Sequence, residues 1–158
     1  MPENYRLSEH FVAKEFVCRC GSPDCELSDP SVIYNKINPV LVEKLEQLRI
    51  TINTPITITS GARCQNKQIQ IYKERYGEFW ERHIVWDSQH LVNSKNQFNA
   101  SDCITNYNMF KFVMMSAYFR FNGVGYYQRQ LSSNELVDYF VHLDVGGGLR
   151  FYRKVYSF

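Results

Sequence analysis

The chain has 158 residues, of which 44% are hydrophobic, 22% charged and 15% aromatic, a balance that fits one folded domain and excludes a fibre or a low-complexity tail. Eighteen Lys and Arg against sixteen Asp and Glu leave a net charge of +2, without the clustered basic excess of a nucleic-acid binder. No stretch reaches the ~18 consecutive apolar residues of a membrane span, and MPENYRLSEHFVAKEF lacks the basic start and apolar run of an export signal. The expectation is one unit over residues 1–158, monomeric, made in the cytoplasm, with no nucleic-acid partner and no membrane span.

Three of the five cysteines, Cys18, Cys20 and Cys25, crowd into CRCGSPDC; Cys64 and Cys103 stand apart. An odd number leaves at least one thiol unpaired within a monomer, and a reducing compartment favours thiols or metal binding over disulfides. The cluster is a candidate soft-metal site or a redox-labile loop, although it lacks the paired CxxC spacing of a zinc ribbon. Whether Cys64 joins it, in a bridge or in a second metal site, stays open.

The first helix is predicted to start at Asn38, with Pro39 in its first turn and Val40, Leu41, Lys44, Leu45 and Leu48 as its stripe. Residues 54–60, rich in β-branched side chains, read as a strand that ends at Gly61 and delivers Arg63 to its exit. The segment from Gln65 to Arg82 is polar with aromatic interruptions and reads as a surface helix weakened at Gly77. A second apolar helix is expected from Asn106 through Phe119, capped by Asn106 or Asn108 and buried in the core. Residues 122–127 read as a turn and a short strand, and 138–145 and 149–156 as further strands. Gly146-Gly147-Gly148 between the last two reads as a flexible hairpin, because a phosphate cradle would need a helix after it. Helices first and strands last give an α+β domain, with helices packed on a mostly antiparallel sheet.

Of the four histidines, His90 and His142 have acidic neighbours that recommend them: Asp102 follows His90 after eleven residues, and Asp144 lies two beyond His142. Two imidazoles and a carboxylate make a three-ligand zinc site with its fourth position open, as a hydrolytic metal requires. The alternative is a strand histidine hydrogen-bonded in the core. His10 and His83 have no partner at ligand spacing and read as surface or capping residues, while Cys103 opens an apolar stretch and reads as a small core residue rather than a nucleophile.

Several motifs in order resemble the family of zinc D-Ala-D-Ala carboxypeptidases and peptidoglycan endopeptidases, which shares its fold with the hedgehog signalling domain. Thr59-Ser60-Gly61-Ala62-Arg63-Cys64 is similar to the family's strand exit with its arginine. Ser88-Gln89-His90 and Ala100-Ser101-Asp102 are similar to its first two ligand motifs. Gly123-Val124-Gly125-Tyr126-Tyr127 and Phe140-Val141-His142-Leu143-Asp144-Val145-Gly146 are similar to its closing pair. The opening, Leu7-Ser8-Glu9-His10-Phe11 and Glu15-Phe16-Val17-Cys18-Arg19-Cys20-Gly21, is similar to small phage-type members, and together these motifs span nearly the whole chain.

The resemblance implies a zinc metallopeptidase acting on peptidoglycan stem peptides at the bacterial cell wall, as a bacteriophage lysis or wall-entry protein would. It implies His90, Asp102 and His142 as the Zn2+ ligands and Arg63 as the cation that meets the substrate carbonyl or carboxylate and stabilises the oxyanion. Where another branch places a glutamate as general base, three residues before the last histidine, this chain has Tyr139. Asp144 is the remaining candidate, either accepting a proton or orienting a ligand imidazole. A zinc-containing but catalytically silent domain that binds cell-wall peptide or a protein is the alternative.

Two further departures from the family are visible. Eleven residues separate His90 from Asp102 where six are usual, with Phe98 in place of a glycine; an extra loop at Asn93-Ser94-Lys95-Asn96-Gln97 would leave both ligands in place at little entropic cost. The long stretch from Lys67 to Asp87 is expected to form a lid or wall of the cleft, in which Tyr76, Trp80 and Trp86 either pack structurally or meet a glycan or peptide.

Overall fold

Two Asx-Pro steps begin the first two helices. Asp29 accepts a hydrogen bond from the Ser31 N–H (2.7 Å) and Asn38 one from the Val40 N–H (2.9 Å), each just ahead of a proline whose missing N–H has no partner to lose in the first turn. They open α1 (Pro30–Lys36) and α2 (Pro39–Ile52). In α2 the side chains of Leu41, Leu45 and Leu48 are fully buried. Each contributes about 1.5–3 kcal/mol of burial, more than the residue-to-residue spread of helix propensity, so the apolar stripe holds this helix in place.

The computed structural model describes residues 5–132 and 134–157. Among them, β1 (Ile56–Ser60), α3 (Gln65–Tyr76), β2 (Ala100–Thr105), α4 (Met109–Tyr118), β3 (Gly123–Gln130), β4 (Leu136–Asp144) and β5 (Arg150–Ser157) follow the first two helices. Short 3-10 turns lie at Ala13–Phe16, Glu26–Ser28 and Gly77–Arg82. The expected helix over 65–82 breaks at Gly77, whose φ of 54° suits glycine. Asn108 caps α4 by accepting from the Lys111 N–H. That helix is core on one side only: Met109, Phe112 and Ser116 are buried, while Phe110, Met114 and Tyr118 are exposed.

The domain is α+β, with a mixed five-stranded sheet in the order β1-β2-β4-β3-β5. All neighbours are antiparallel except β3 and β5, which run parallel. The triglycine therefore does not close a hairpin. β4 and β5 both pair with β3, one on each side, and residues 145–149 pass over the end of β3 to join them. One face of the sheet presents Cys103, Val124, Val141 and Leu143 to the buried core with α2 and α4. Cys103 is fully buried there, as expected of a small hydrophobe.

The opposite face carries a single registered row. Ser60 pairs with Asp102, Asp102 with His142, His142 with Gly125, and Gly125 with Tyr152. Directly paired residues share a face, so four strand positions and one glycine gap line up across all five strands. A bulge between Ile58 and Ser60 sets the β1 end of this row.

Candidate metal centre

His90 is placed by two hydrogen bonds to the chain that leaves β1. Its backbone oxygen accepts from the Arg63 N–H (2.9 Å), and its ring Nδ1 lies 2.6 Å from the Gly61 oxygen. A carbonyl oxygen only accepts, so Nδ1 carries the hydrogen and a neutral ring presents its lone pair at Nε2. Gly61 is required because a Cβ there would overlap the Phe16 carbonyl, which itself accepts from the Ala62 N–H.

His90 Nε2, His142 Nδ1 and Asp102 Oδ1 form a triangle: 3.2 Å between the two nitrogens, 3.2 Å from His90 to Asp102, and 2.9 Å from His142 to Asp102. Donors about 2.0–2.1 Å from a tetrahedral zinc stand about 3.3–3.4 Å apart, so these three atoms come close to one face of such a tetrahedron. On its other side, His142 Nε2 lies 3.0 Å from Asp144 Oδ2. Asp144 is 1% exposed, and both of its oxygens lie 2.8 Å from an Arg150 nitrogen. With its charge met by Arg150, this carboxylate accepts a hydrogen bond from the His142 Nε2–H, which in the neutral ring leaves the Nδ1 lone pair facing the triangle. Two imidazole lone pairs and a carboxylate oxygen aimed at one point repel each other unless a proton or a cation sits among them. The donor set fits zinc.

Electrostatics set the protonation states of the metal-free centre, where an arriving cation has to displace a proton only from His142. Burial, reinforced by the charge of Arg63, lowers His90 to about 4, so its ring is neutral at physiological pH. Burial alone would raise the Asp102 carboxyl, but His90, Arg63 and the hydrogen bond from His142 outweigh it and hold Asp102 well below the carboxylate range. For His142 burial pulls downward, and the hydrogen bonds to Asp102 and Asp144 outweigh it and raise the imidazole. A buried imidazole between two carboxylates is basic, the property of a good ligand.

Arg63 also takes part. Its guanidinium donates to Asp102 Oδ2 (2.5 Å) and its Nε to Ser60 Oγ (3.1 Å), which orients the carboxylate from the side away from the histidines. The centre forms the floor of a cleft of about 330 Å³, with Gln68, Ile71, Tyr72 and Arg75 on one wall and Tyr127, Tyr152 and Tyr156 on another. The stretch after Lys67 is thus a wall, supplied by α3. Of the aromatics expected there, Tyr76 stacks between Tyr72 and His83, and Trp80 lies under Lys73. Trp86 is half-exposed and lines an adjoining cleft beside Arg63.

All five predicted site residues, Arg63, His90, Asp102, His142 and Asp144, are brought together. The extra loop leaves His90 and Asp102 side by side, because the backbone and side chain of Asn99 bond to those of Gln89 (2.8 and 2.9 Å) and close it at its base. Within it the Asn93 side chain accepts from the N–H groups of Lys95 and Gln97. His10 is exposed, as its surface reading requires, with the distant Glu46 carboxylate 2.5 Å from its Nδ1. Arg150 and Tyr152 were not visible from sequence, since neither belongs to a recognisable motif. Tyr139 is the extra residue of a bulge in β4, half-exposed and turned toward a neighbouring cleft with Phe140 and Tyr156. No family model matches the chain, and no curated protein or solved structure matches it.

Proposed function

We propose that the chain is a zinc-dependent metallopeptidase that hydrolyses amide bonds in the peptide stems of bacterial peptidoglycan. The observation that carries the reading is the triangle of His90 Nε2, His142 Nδ1 and Asp102 Oδ1 on the floor of an open cleft. A zinc ion held by these three residues would supply a Lewis acid that polarises a carbonyl and brings the pKa of water towards neutrality.

The chain's own residues do the rest. Gly61 and Asp144 fix which nitrogen of each imidazole is free, so Asp144, locked to Arg150 and to the Gly146 N–H, is a positioning residue rather than a base. Arg63, anchored on Ser60 and Asp102, is the cation that meets a substrate carboxylate or the carbonyl oxygen as charge develops on it. Burial raises the Tyr127 hydroxyl above the usual phenol range; it and Tyr152, 3.3 Å apart, remain protonated donors on the wall. A bacteriophage lysis or wall-entry protein, acting at the host wall, is the setting that the sequence resemblance supports.

Purified muropeptides incubated with the zinc-loaded chain test this, with chelated protein and His142→Ala as controls. Release of D-alanine or of cleaved stems, lost in both controls, is expected; intact muropeptides after prolonged incubation would overturn it. The second reading, a silent zinc-containing domain that binds stem peptide or a protein, is favoured by Tyr139 at the position of the family's glutamate and by the full engagement of Asp144. Saturable muropeptide binding without turnover is its signature.

A further inference from the structure

Beside the histidine centre, where Cys64 follows Arg63, four sulfurs converge. Cys18, Cys20, Cys25 and Cys64 place their Sγ atoms within 4.8 Å of one another, and Cys18 and Cys64 are 3.7 Å apart. We propose that these four cysteines are a second metal site, a structural zinc bound by four thiolates, which fastens the N-terminal segment to the exit of β1. The site is independent of the peptidase reading.

Sulfurs about 2.3 Å from a tetrahedral ion stand about 3.8 Å apart, close to the Cys18–Cys64 separation and far beyond a disulfide bond. An iron–sulfur cluster would spread the cysteines more widely, because irons and sulfides lie between them. Three of the sulfurs also accept backbone hydrogen bonds. The Cys64 N–H points at Cys18 Sγ (3.4 Å), the Ser22 N–H at Cys20 Sγ (3.5 Å), and the Lys67 N–H at Cys64 Sγ (3.4 Å), where Cys64 caps the twelve-residue helix α3. Backbone N–H groups around sulfur stabilise the thiolate that a metal needs.

Local backbone explains how a C-x-C-x4-C run lacking CxxC spacing can reach this geometry. Gly21 follows Cys20 with φ of 78°, a left-handed step that glycine adopts without strain. The Cys25 N–H then closes a turn onto the Ser22 oxygen (3.3 Å), and the Cys18 N–H bonds the Leu27 oxygen (2.8 Å). The loop curls back on itself, and its open side receives Cys64 from the far end of β1. Zinc binding would release the thiol protons to solvent and add its free energy to folding.

The test is made on the full chain purified without chelator. In a His90→Ala/His142→Ala background, which removes the other centre, about one zinc per chain is expected, and none once Cys20→Ser and Cys25→Ser are added. Chelation in that background should lower Tm by about 5 °C or more. Should the cysteine variants fail to fold, cobalt substitution of the unmutated chain decides: thiolate-to-cobalt charge-transfer bands in the near ultraviolet can arise only from the sulfurs. Their absence, iron in place of zinc, zinc retained after the cysteines are replaced, or a Cys18–Cys64 disulfide found by alkylation and mass spectrometry would each overturn the proposal.

Discussion

Arg150 reaches Asp144 across the full width of β3, through the gap left by Gly123. The three residues are in register, Asp144 opposite Gly123 and Gly123 beside Arg150, and a Cβ on the glycine would overlap the Asp144 carboxylate. One pair of residues further along the strand the arrangement repeats: Gly125 lies between His142 and Tyr152, and a Cβ there would overlap the Tyr152 ring. The two glycines of Gly123-Val124-Gly125 let side chains of β5 lean over β3 and reach β4.

Gly123→Ala is therefore expected to push Asp144 off His142. Overpacking of this kind costs about 1–3 kcal/mol. The chain should unfold at a lower denaturant midpoint and hold zinc less tightly, whereas alanine at Gly148, which meets nothing within 4 Å, should change neither by a comparable amount.

Arg150→Met removes the charge that keeps Asp144 on His142 while preserving much of the side chain's length. Loss of such an outer partner weakens a metal site about 10–100-fold. Competition with a chromophoric chelator should show that loss with little change in the circular dichroism spectrum; an unchanged affinity would mean that Asp144 does not orient the ligand.

His90→Ala, Asp102→Ala and His142→Ala should each abolish zinc binding at the histidine centre. Asp102→Ala should also destabilise the chain the most, because it leaves the mostly buried Arg63 guanidinium without its carboxylate partner. Metal content and thermal melts of the three variants, side by side, check the order.

Acid should destabilise the metal-free chain through its carboxylates. Asp102 and Asp144 are both lowered in the folded state. Such groups contribute stability that is fully present above their unfolded value of about 3.9 and is lost as pH falls through the folded one. Tm of the chelated protein should drop steeply below about pH 4, and Asp102→Asn should flatten that drop.

Replacing residues 93–97 by a short glycine-containing turn should leave the zinc content unchanged. The Gln89–Asn99 pairing and the bridge between Ile37 and Phe98 hold the loop's base, and shortening a closed loop alters its entropy only logarithmically. Zinc loss in this variant would show that the loop itself shapes the centre.

How much of this could be read in the residues depends on the range of the signal. The helix after Asn38 was legible because a cap, a proline and a long apolar stripe agree. The same cap and proline at Asp29-Pro30 open a helix of seven residues with Ile33 as its one buried side chain, too short for a stripe to register. β2 was missed as a strand because Ala100–Thr105 shows no alternation: four consecutive residues are buried, two of them the polar Ser101 and Asp102. The role of Arg150 was out of reach for a different reason. Its strand adds in parallel to β3, and the partner of a parallel strand leaves no mark in the adjacent sequence. The candidate ligands could be named from ordered motifs, but the register that aligns them emerges only when five strands are side by side.

Arg63 and Cys64 are consecutive, yet the first holds the Asp102 carboxylate and the second stands among the sulfurs. One peptide unit thus belongs to both centres. If an ion at the sulfurs tightens the grip of the histidine centre, an ion at the histidines must tighten the sulfurs by the same factor. The two affinities are then linked, and the order of loading changes the path but not the total.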